Sequence, residues 1–495
     1  MTVELPADWL VLSVSVLLIA GVLGAGFADR LRVPGLLLFL LLGMLIADDG
    51  LGLVTLEDPV VAQAGGTVAL ILILYEGGLT TKPRDLRLAA APGLALATVG
   101  VVLTAVLLAA GTYLILDVEP ITAMLIGSVV ASTDAAAVFT VMRRAPLPRR
   151  LTALLEVESG SNDPVAIMLT VGLLEAWRSD PTAAEWVWFA VLQLGGGLMA
   201  GTLIGVAGSW LLSRARLGPA GLYPVLALGV AGLAYGAAAE IGASGFLAVY
   251  VTGLFVGARV PLHRRNIRTF HDGLANTAEI GLFLLLGMLV FPTELPAVAL
   301  PGLAIAVVLT LVARPLAVFA CLVWFRVPWR DLTLIAWAGL RGAVPIVLAT
   351  FPFVAGYPAG DLIFNMVFFV VLLSAAVQGV SINAVASRLG LRQERPAWSP
   401  VAEALPLDST STELIEVAIT GDLHIAGRQL QEVPPPAGLV AAVMRGGQVL
   451  SPTARTRLQV GDLLILALPA DPAATRRVTA WARGEPTGAD GDEDS

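Results

Sequence analysis

What most constrains this chain is a succession of apolar runs, each long enough to cross the hydrocarbon of a bilayer, which takes about 20 helical residues. Thirteen can be drawn before residue 389, at about 9–28, 33–48, 60–79, 88–116, 120–142, 151–177, 186–213, 221–239, 244–258, 270–291, 296–325, 331–352 and 361–388. In lipid, backbone N–H and C=O groups must be satisfied internally, so such runs are read as helices. Hydrophobic residues make up 57% of the 495 positions and charged residues only 14%, which excludes an ordinary soluble enzyme. The only cysteine, Cys321, allows no internal disulfide and reads as a packing residue. The only lysine, Lys82, precedes Pro83, so no phosphate-binding G-x-x-x-x-G-K-[ST] loop exists and ATP-driven transport by that motif is excluded. Residues Met1 to Trp9 carry Glu4 and Asp8 but no basic cluster, so the first run is expected to be a retained span rather than a cleaved leader.

The connections alternate in charge. Alternate loops carry Arg30 and Arg32; Lys82, Arg84 and Arg87; Arg143, Arg144, Arg149 and Arg150; Arg214 and Arg216; Arg259, Arg264, Arg265 and Arg268; Arg326 and Arg330. Between them lie Asp48, Asp49, Glu57, Asp58, Asp117, Glu119, Asp180, Glu185 and Glu294, with Arg178 as the lone basic exception. Because arginine and lysine mark cytoplasmic loops, this places the N-terminus outside and the C-terminus in the cytoplasm. The expected organisation is a transmembrane domain over 1–389, a linker over 390–412, a small α+β cytoplasmic domain over 413–470 and a partly disordered acidic tail over 471–495. In the small domain, 414–419, 439–444, 448–450 and 463–468 read as strands and 425–433 as a short helix.

Ionisable residues inside membrane helices are costly and therefore informative. The sixth run holds Glu156, Glu158, Ser159, Ser161, Asn162 and Asp163, followed by Pro164. Helical spacing puts Ser159 and Asp163 on one face and Glu158 and Asn162 on the next. Pro164 lacks an N–H, so the carbonyl of Gly160 loses its helical donor beside Asp163. Carboxylate, hydroxyl, amide and carbonyl together are hard oxygen ligands suited to an alkali cation; a protonated Asp163 that only pins helices is the plainer alternative.

The fifth run has Ser132, Thr133 and Asp134 at its midpoint, and the twelfth has Gly339, Arg341, Gly342 and Pro345. Both read as interrupted helices. They lie seven runs apart, which implies two halves of inverted topology with the site where the breaks cross. Asp134 and Arg341 then read as scaffold, neutralising helix ends, and Thr133 as a ligand. Glu76 and Glu279 form another seven-apart pair: Glu76 reads as a site or gate residue, Glu279 as a structural partner of Arg341 or a completion of the site, and Glu158 as an Arg341 partner. Arg314 reads as snorkelling or packing. His263 and His271 lack a third ligand and make a poor metal site. A K+ channel is the main rival reading, but no T-V-G-Y-G filter occurs. An intramembrane aspartyl hydrolase using Asp134 and Asp163 is the other, and the interposed Asn162 argues against it.

Four segments, Ser132-Thr133-Asp134, Glu158-Ser159-Gly160-Ser161-Asn162-Asp163-Pro164, Ala278-Glu279-Ile280-Gly281 and Gly339-Leu340-Arg341-Gly342-Ala343-Val344, resemble the monovalent cation/proton antiporters of the NhaP and NHE type. The resemblance covers residues 9–389. It implies an all-α polytopic inner-membrane exchanger, a secondary transporter and not an enzyme, forming a homodimer with an elevator-like cycle. By similarity, Asp163 is the shared cation and proton site, Ser159 and Thr133 supply oxygens to the monovalent cation, and Glu76 lines the approach. Asn162 stands where electrogenic relatives have a second aspartate, which implies electroneutral exchange. Residues 401–470 resemble the RCK-C (TrkA-C) regulatory domain, which shifts the expected ion toward K+ over Na+. Some such domains bind nucleotides, so a nucleotide of unknown identity is a possible ligand, no other cofactor is expected, and no nucleic-acid partner is implied.

Overall fold

The computed structural model describes residues 15–24, 26, 34–52, 59–81, 83–134, 138, 147–179, 181–260, 263–391, 405–406, 412–446, 448–469 and 472–484. The expected disorder of the acidic end falls on residues outside these, as does the second half of the fifth run. The chain divides into two units, residues 1–393 and 394–495.

Among its described residues the first unit is built of helices, with no strand. In chain order it contains α1 (Ser15–Gly24), α2 (Gly35–Ile46), α3 (Pro59–Thr80), α4 (Pro83–Ala95), α5 (Val101–Leu116), α6 (Pro120–Val130), α7 (Arg149–Ser179), α8 (Ala183–Val191), α9 (Gly197–Arg214) and α10 (Leu222–Glu240). There follow α11 (Gly245–Arg259), α12 (Arg264–Met288), α13 (Leu295–Val308), α14 (Arg314–Leu322), α15 (Trp329–Trp337), α16 (Ala343–Val354), α17 (Gly360–Ser374) and α18 (Val380–Arg388). Single wide turns at 96–100, 192–196, 309–313 and 375–379 join α4 to α5, α8 to α9, α13 to α14 and α17 to α18 without breaking the helix. Among the described residues, six continuous helices are long and apolar enough to cross a membrane. Their outer faces carry leucine in place of charge, with Leu114 at 82% and Leu300 at 77% exposure, a surface that only lipid makes stable.

Two bundles share this unit. In the first, α3 packs on α11 and α12, α2 on α12, and α9 and α10 on α11. In the second, α4, α5 and α6 pack around α7, α17 packs on α13, α16 and α6, α16 also packs on α6, and α13 on α5. The bundles meet where α3 and α12 touch α16 and where α11 and α3 touch α7. Close approach inside the first bundle depends on glycine: a Cβ on Gly253 would lie 2.6 Å from the carbonyl oxygen of Tyr75 and 3.1 Å from the Cα of Gly78. Any larger residue there would push α11 off α3.

The break expected in the twelfth run is present, since α15 ends at Trp337, residues 338–342 are non-helical, and α16 begins at Ala343. In the fifth run, α6 ends at Val130 and residues 131–134 are non-helical. The two breaks cross and bond, the Asp134 N–H donating to the Leu340 carbonyl at 2.8 Å. The sixth run is one helix through Pro164, because proline removes one hydrogen bond and its neighbours hold the rest.

The second unit is an antiparallel sheet in the order β1 (Leu405–Pro406), β2 (Thr412–Ala418), β5 (Leu463–Pro469), β3 (Leu439–Arg445), β4 (Gln448–Leu450), with a terminal helix α19 (Pro472–Arg483). Val417, Val443, Leu464, Leu466 and Leu468 form its core with Val478 and Ala482 of α19. Two expectations are corrected here. Residues 425–433 are not a helix: Gly427 adopts a φ of +76°, and the backbone N–H groups of Gly427, Leu430 and Gln431 donate instead to the carbonyls of Leu458, Thr456 and Ala454. Residues 472–483, read as part of a tail, form a helix whose Ala474, Val478 and Ala482 recur every four residues and are buried.

Candidate functional site

A cavity of about 290 Å³ opens between the two bundles. The first bundle contributes Glu76, Gly77, Thr80 and Thr81 from the end of α3, Tyr250 from α11, and Glu279 and Phe283 from α12. Facing them are Ser132, Thr133 and Asp134 from the first chain break, Glu156, Ser159, Gly160 and Asp163 from α7, and Gly342 to Pro345 at the start of α16. Asp163 is 7% exposed and lines this cavity. Its helix presents Glu156, Ser159 and Asp163 at spacings of three and four, one stripe of oxygen ligands down the wall.

Behind that wall lies a polar network. Asn162 is fully buried and does not line the cavity; its Nδ2 donates to Thr133 Oγ1 at 2.6 Å and to the Thr133 carbonyl at 3.3 Å. Thr133 Oγ1 in turn donates to Glu158 Oε1 at 3.1 Å. That carboxylate is also 2.6 Å from Arg314 Nη2, and both side chains are 1% exposed. The expected pairing of Glu158 with Arg341 is therefore corrected: Arg314 takes that place, and it neither snorkels nor merely packs. A bare carboxylate in this interior would be far more costly than a paired one, which explains why an arginine accompanies it.

Arg341 is fully buried and makes no ion pair among the described residues; its Nη1 donates to the carbonyls of Ala131 and Ser132 at 2.7 and 2.6 Å. These carbonyls close the C-terminal end of α6, where the helix dipole is negative, so the cation is placed where it stabilises the broken end. Asp134 does the converse, its carboxylate lying against Gly342, the residue that precedes α16. A side chain at 342 would displace it. Glu279, expected either to pair with Arg341 or to complete the site, lines the cavity.

Of the residues singled out from the sequence, the cavity brings together Asp163, Ser159, Thr133, Glu76, Asp134 and Glu279, and leaves Asn162, Glu158 and Arg341 in the layer behind. Sequence reasoning passed over Glu156 and Tyr250 as site residues. Glu156 was legible from its spacing of seven from Asp163; Tyr250 carried no signal, since it reaches the site only through the packing of α11. Among the described residues no group of three His, Cys, Asp or Glu side chains is arranged to hold a metal ion.

The sequence matches the sodium/hydrogen exchanger transmembrane family over residues 14–388 and the TrkA-C domain over 414–477. It is 39% identical over 452 residues to the K(+)/H(+) antiporter NhaP of Alkalimonas amylolytica, covering 89% of this chain and 78% of that one. It is 38% identical over 447 residues to the K(+)/H(+) antiporter NhaP2 of Shewanella sp. (strain ANA-3), covering 88% and 77%. The fold matches that of the sodium proton antiporter MjNhaP1 from Methanocaldococcus jannaschii with a TM-score of 0.69 at 24% identity, over 77% of this chain and 98% of that chain. With an all-α polytopic membrane body and a small α+β domain after it, the chain belongs to the sodium/hydrogen exchanger family in its NhaP branch, a secondary active monovalent cation/proton antiporter with a regulatory TrkA-C domain, and not an enzyme.

Proposed function

We propose that this chain exchanges K+ for protons one for one, with Asp163 as the site the two ions share. The observation that carries this reading is a carboxylate buried in the membrane body yet facing a cavity, flanked by the hydroxyl-bearing Ser159 and Thr133. A single carboxylate is either ionised and cation-bound or protonated, so the two ions compete for it. If only those two occupied forms cross, competition is the coupling. One pH unit corresponds to about 1.4 kcal/mol, so such an exchanger sustains roughly a tenfold cation gradient per unit of ΔpH. Asn162 beside Asp163 is neutral, which supports one charge each way. The choice of K+ over Na+ rests on the K(+)/H(+) activity named for relatives at 39% and 38% identity and on the TrkA-C domain.

The same reading divides the chain into an exchanger domain over 1–389, a linker over 390–412 and a regulatory domain that begins at 413 and takes in the terminal helix Pro472–Arg483, with the acidic end after it. It gives thirteen spans in two inverted halves, an external N-terminus, a cytoplasmic C-terminal domain in a bacterial inner membrane, and a homodimer whose second bundle slides against the first. In this orientation the cavity faces the cytoplasm through Glu76, Thr80 and Thr81, near the basic loop at Lys82. The regulatory domain takes a ligand, with a nucleotide as the first candidate. Adding K+, Na+, Li+ or Rb+ to everted vesicles and following internal pH tests the ion assignment. Proton movement driven by K+ above the others is expected; an equal or greater response to Na+ overturns the K+ assignment.

A further inference from the structure

The seam between the bundles holds a second cavity, also of about 290 Å³, at the end carrying the acidic loops. Both cavities run along the same two helices. Glu279 of α12 and Pro345 of α16 face the first, while Met288 of α12 and Thr350 and Phe353 of α16 face the second. An apolar plug separates them: Val347 of α16 would meet a Cβ on Gly66 of α3 at 3.1 Å, and Leu282 of α12 would meet it at 3.6 Å.

At the far end, only the link 289–294 carries the chain from α12 in the first bundle to α13 in the second. Asp49, just after α2 of the first bundle, accepts two hydrogen bonds on Oδ2, from the Thr293 N–H at 3.0 Å and from Thr293 Oγ1 at 2.7 Å. The next residue, Glu294, is held from the other side, its Oε2 accepting from Nδ2 of the buried Asn365 on α17 at 2.8 Å. A continuous series of bonds, Asp49 to Thr293 to Glu294 to Asn365, therefore spans the seam over the second cavity. Asp49 and Thr293 are exposed, so water competes for these bonds and they are weak enough to open and reclose.

We propose that this series is a latch that holds the acidic-loop end of the seam shut, and that it opens when the site is presented to that side. The proposal rests on the alternating reading given under Proposed function. Sliding of the second bundle carries Asn365 and Glu294 with it, and Asp49 stays with the first. The plug at Gly66, Leu282 and Val347 keeps the two cavities apart while the latch is closed.

Access can be read directly. In a Cys321→Ser background with Phe364→Cys as reporter in the second cavity, a membrane-impermeant maleimide is added to intact cells. Asp49→Ala and Thr293→Val each raise the labelling rate about threefold to tenfold, the effect of losing one or two such bonds, and Thr293→Ser, which keeps the hydroxyl, does not. Labelling unchanged in both Asp49→Ala and Thr293→Val overturns the latch. Should Phe364→Cys fail to accumulate, Met288→Cys in the same cavity serves as reporter. Repeating the series with Asp163→Asn, which removes exchange but leaves the seam intact, separates failure of the latch from failure of the site assignment.

Discussion

The Arg314 guanidinium lies 2.6 Å from the Glu158 carboxylate in an interior where each side chain is 1% exposed. This pair anchors the wall of the site, because the carboxylate oxygen it neutralises is also the acceptor for Thr133, and Thr133 is the acceptor for Asn162. The chain from Arg314 to Asn162 fixes the orientation of a hydroxyl that faces the cavity.

Removing the cation alone should be worse than removing both charges. Arg314→Met leaves Glu158 buried without a partner and is expected to cost about 3–5 kcal/mol, whereas Arg314→Met with Glu158→Leu recovers most of that loss. Thermal unfolding of the purified full chain checks this; equal stability of the single variant and the wild type contradicts it.

Thr133→Val removes one donor and one acceptor at once. Asn162 then keeps only its 3.3 Å bond to the carbonyl of residue 133, and Glu158 loses its hydroxyl partner. Exchange with a roughly tenfold higher half-saturating cation concentration is expected, equivalent to about 1.4 kcal/mol of lost binding. Thr133→Ser should stay near wild type. Titrating K+ against proton movement in everted vesicles measures both.

Gly160 marks a close contact between the bundles at the site. A Cβ there would lie 2.5 Å from the Tyr250 hydroxyl and 2.6 Å from Cζ. Gly160→Ala should lower stability by about 1–3 kcal/mol and slow exchange, and Tyr250→Leu should relieve both by opening the space. Failure of the second change to rescue would place the defect elsewhere.

In the C-terminal unit, Asp462 accepts from Arg445 Nε and Nη2 at 2.8 and 2.7 Å and from the Gln459 N–H at 2.8 Å. These bonds, the Arg445 bond foremost, hold its carboxyl below its ordinary value of 3.8. A depressed folded value means that its stabilisation is complete above the unfolded value and fades as pH falls through the folded one. Amide protection of β3 and β5 in the full chain should therefore hold at about pH 6 and drop below about pH 3, and Asp462→Ala should lower it about tenfold at neutral pH. A variant that keeps wild-type protection contradicts the role.

The site was legible where chemistry and spacing coincide. Asp163 and Ser159 are four apart on one helix, and charged or hydroxyl groups in an apolar run stand out against lipid-compatible neighbours. The break at 338–342 was legible from Gly339, Gly342 and Pro345 in a run otherwise long enough to span. What escaped depends on contacts that no local pattern encodes. Glu158 meets Arg314 because α14 passes behind α7, although Arg341 was the more conspicuous arginine. Tyr250 reaches Gly160 because α11 lies close against α3 through Gly78 and Gly253. In the C-terminal unit, the turn at Gly427 overrode an apolar pattern at 425–433, and the four-residue spacing of Ala474, Val478 and Ala482 was hidden beside an acidic, polar end.

The claim on which all of this depends is that one carboxylate at position 163 carries both ions. The most direct measurement is ion-driven proton movement in vesicles containing Asp163→Asn beside wild type at matched protein levels. Loss of exchange at every K+ and Na+ concentration, with folding intact by thermal unfolding, is the predicted result; exchange persisting in that variant contradicts it.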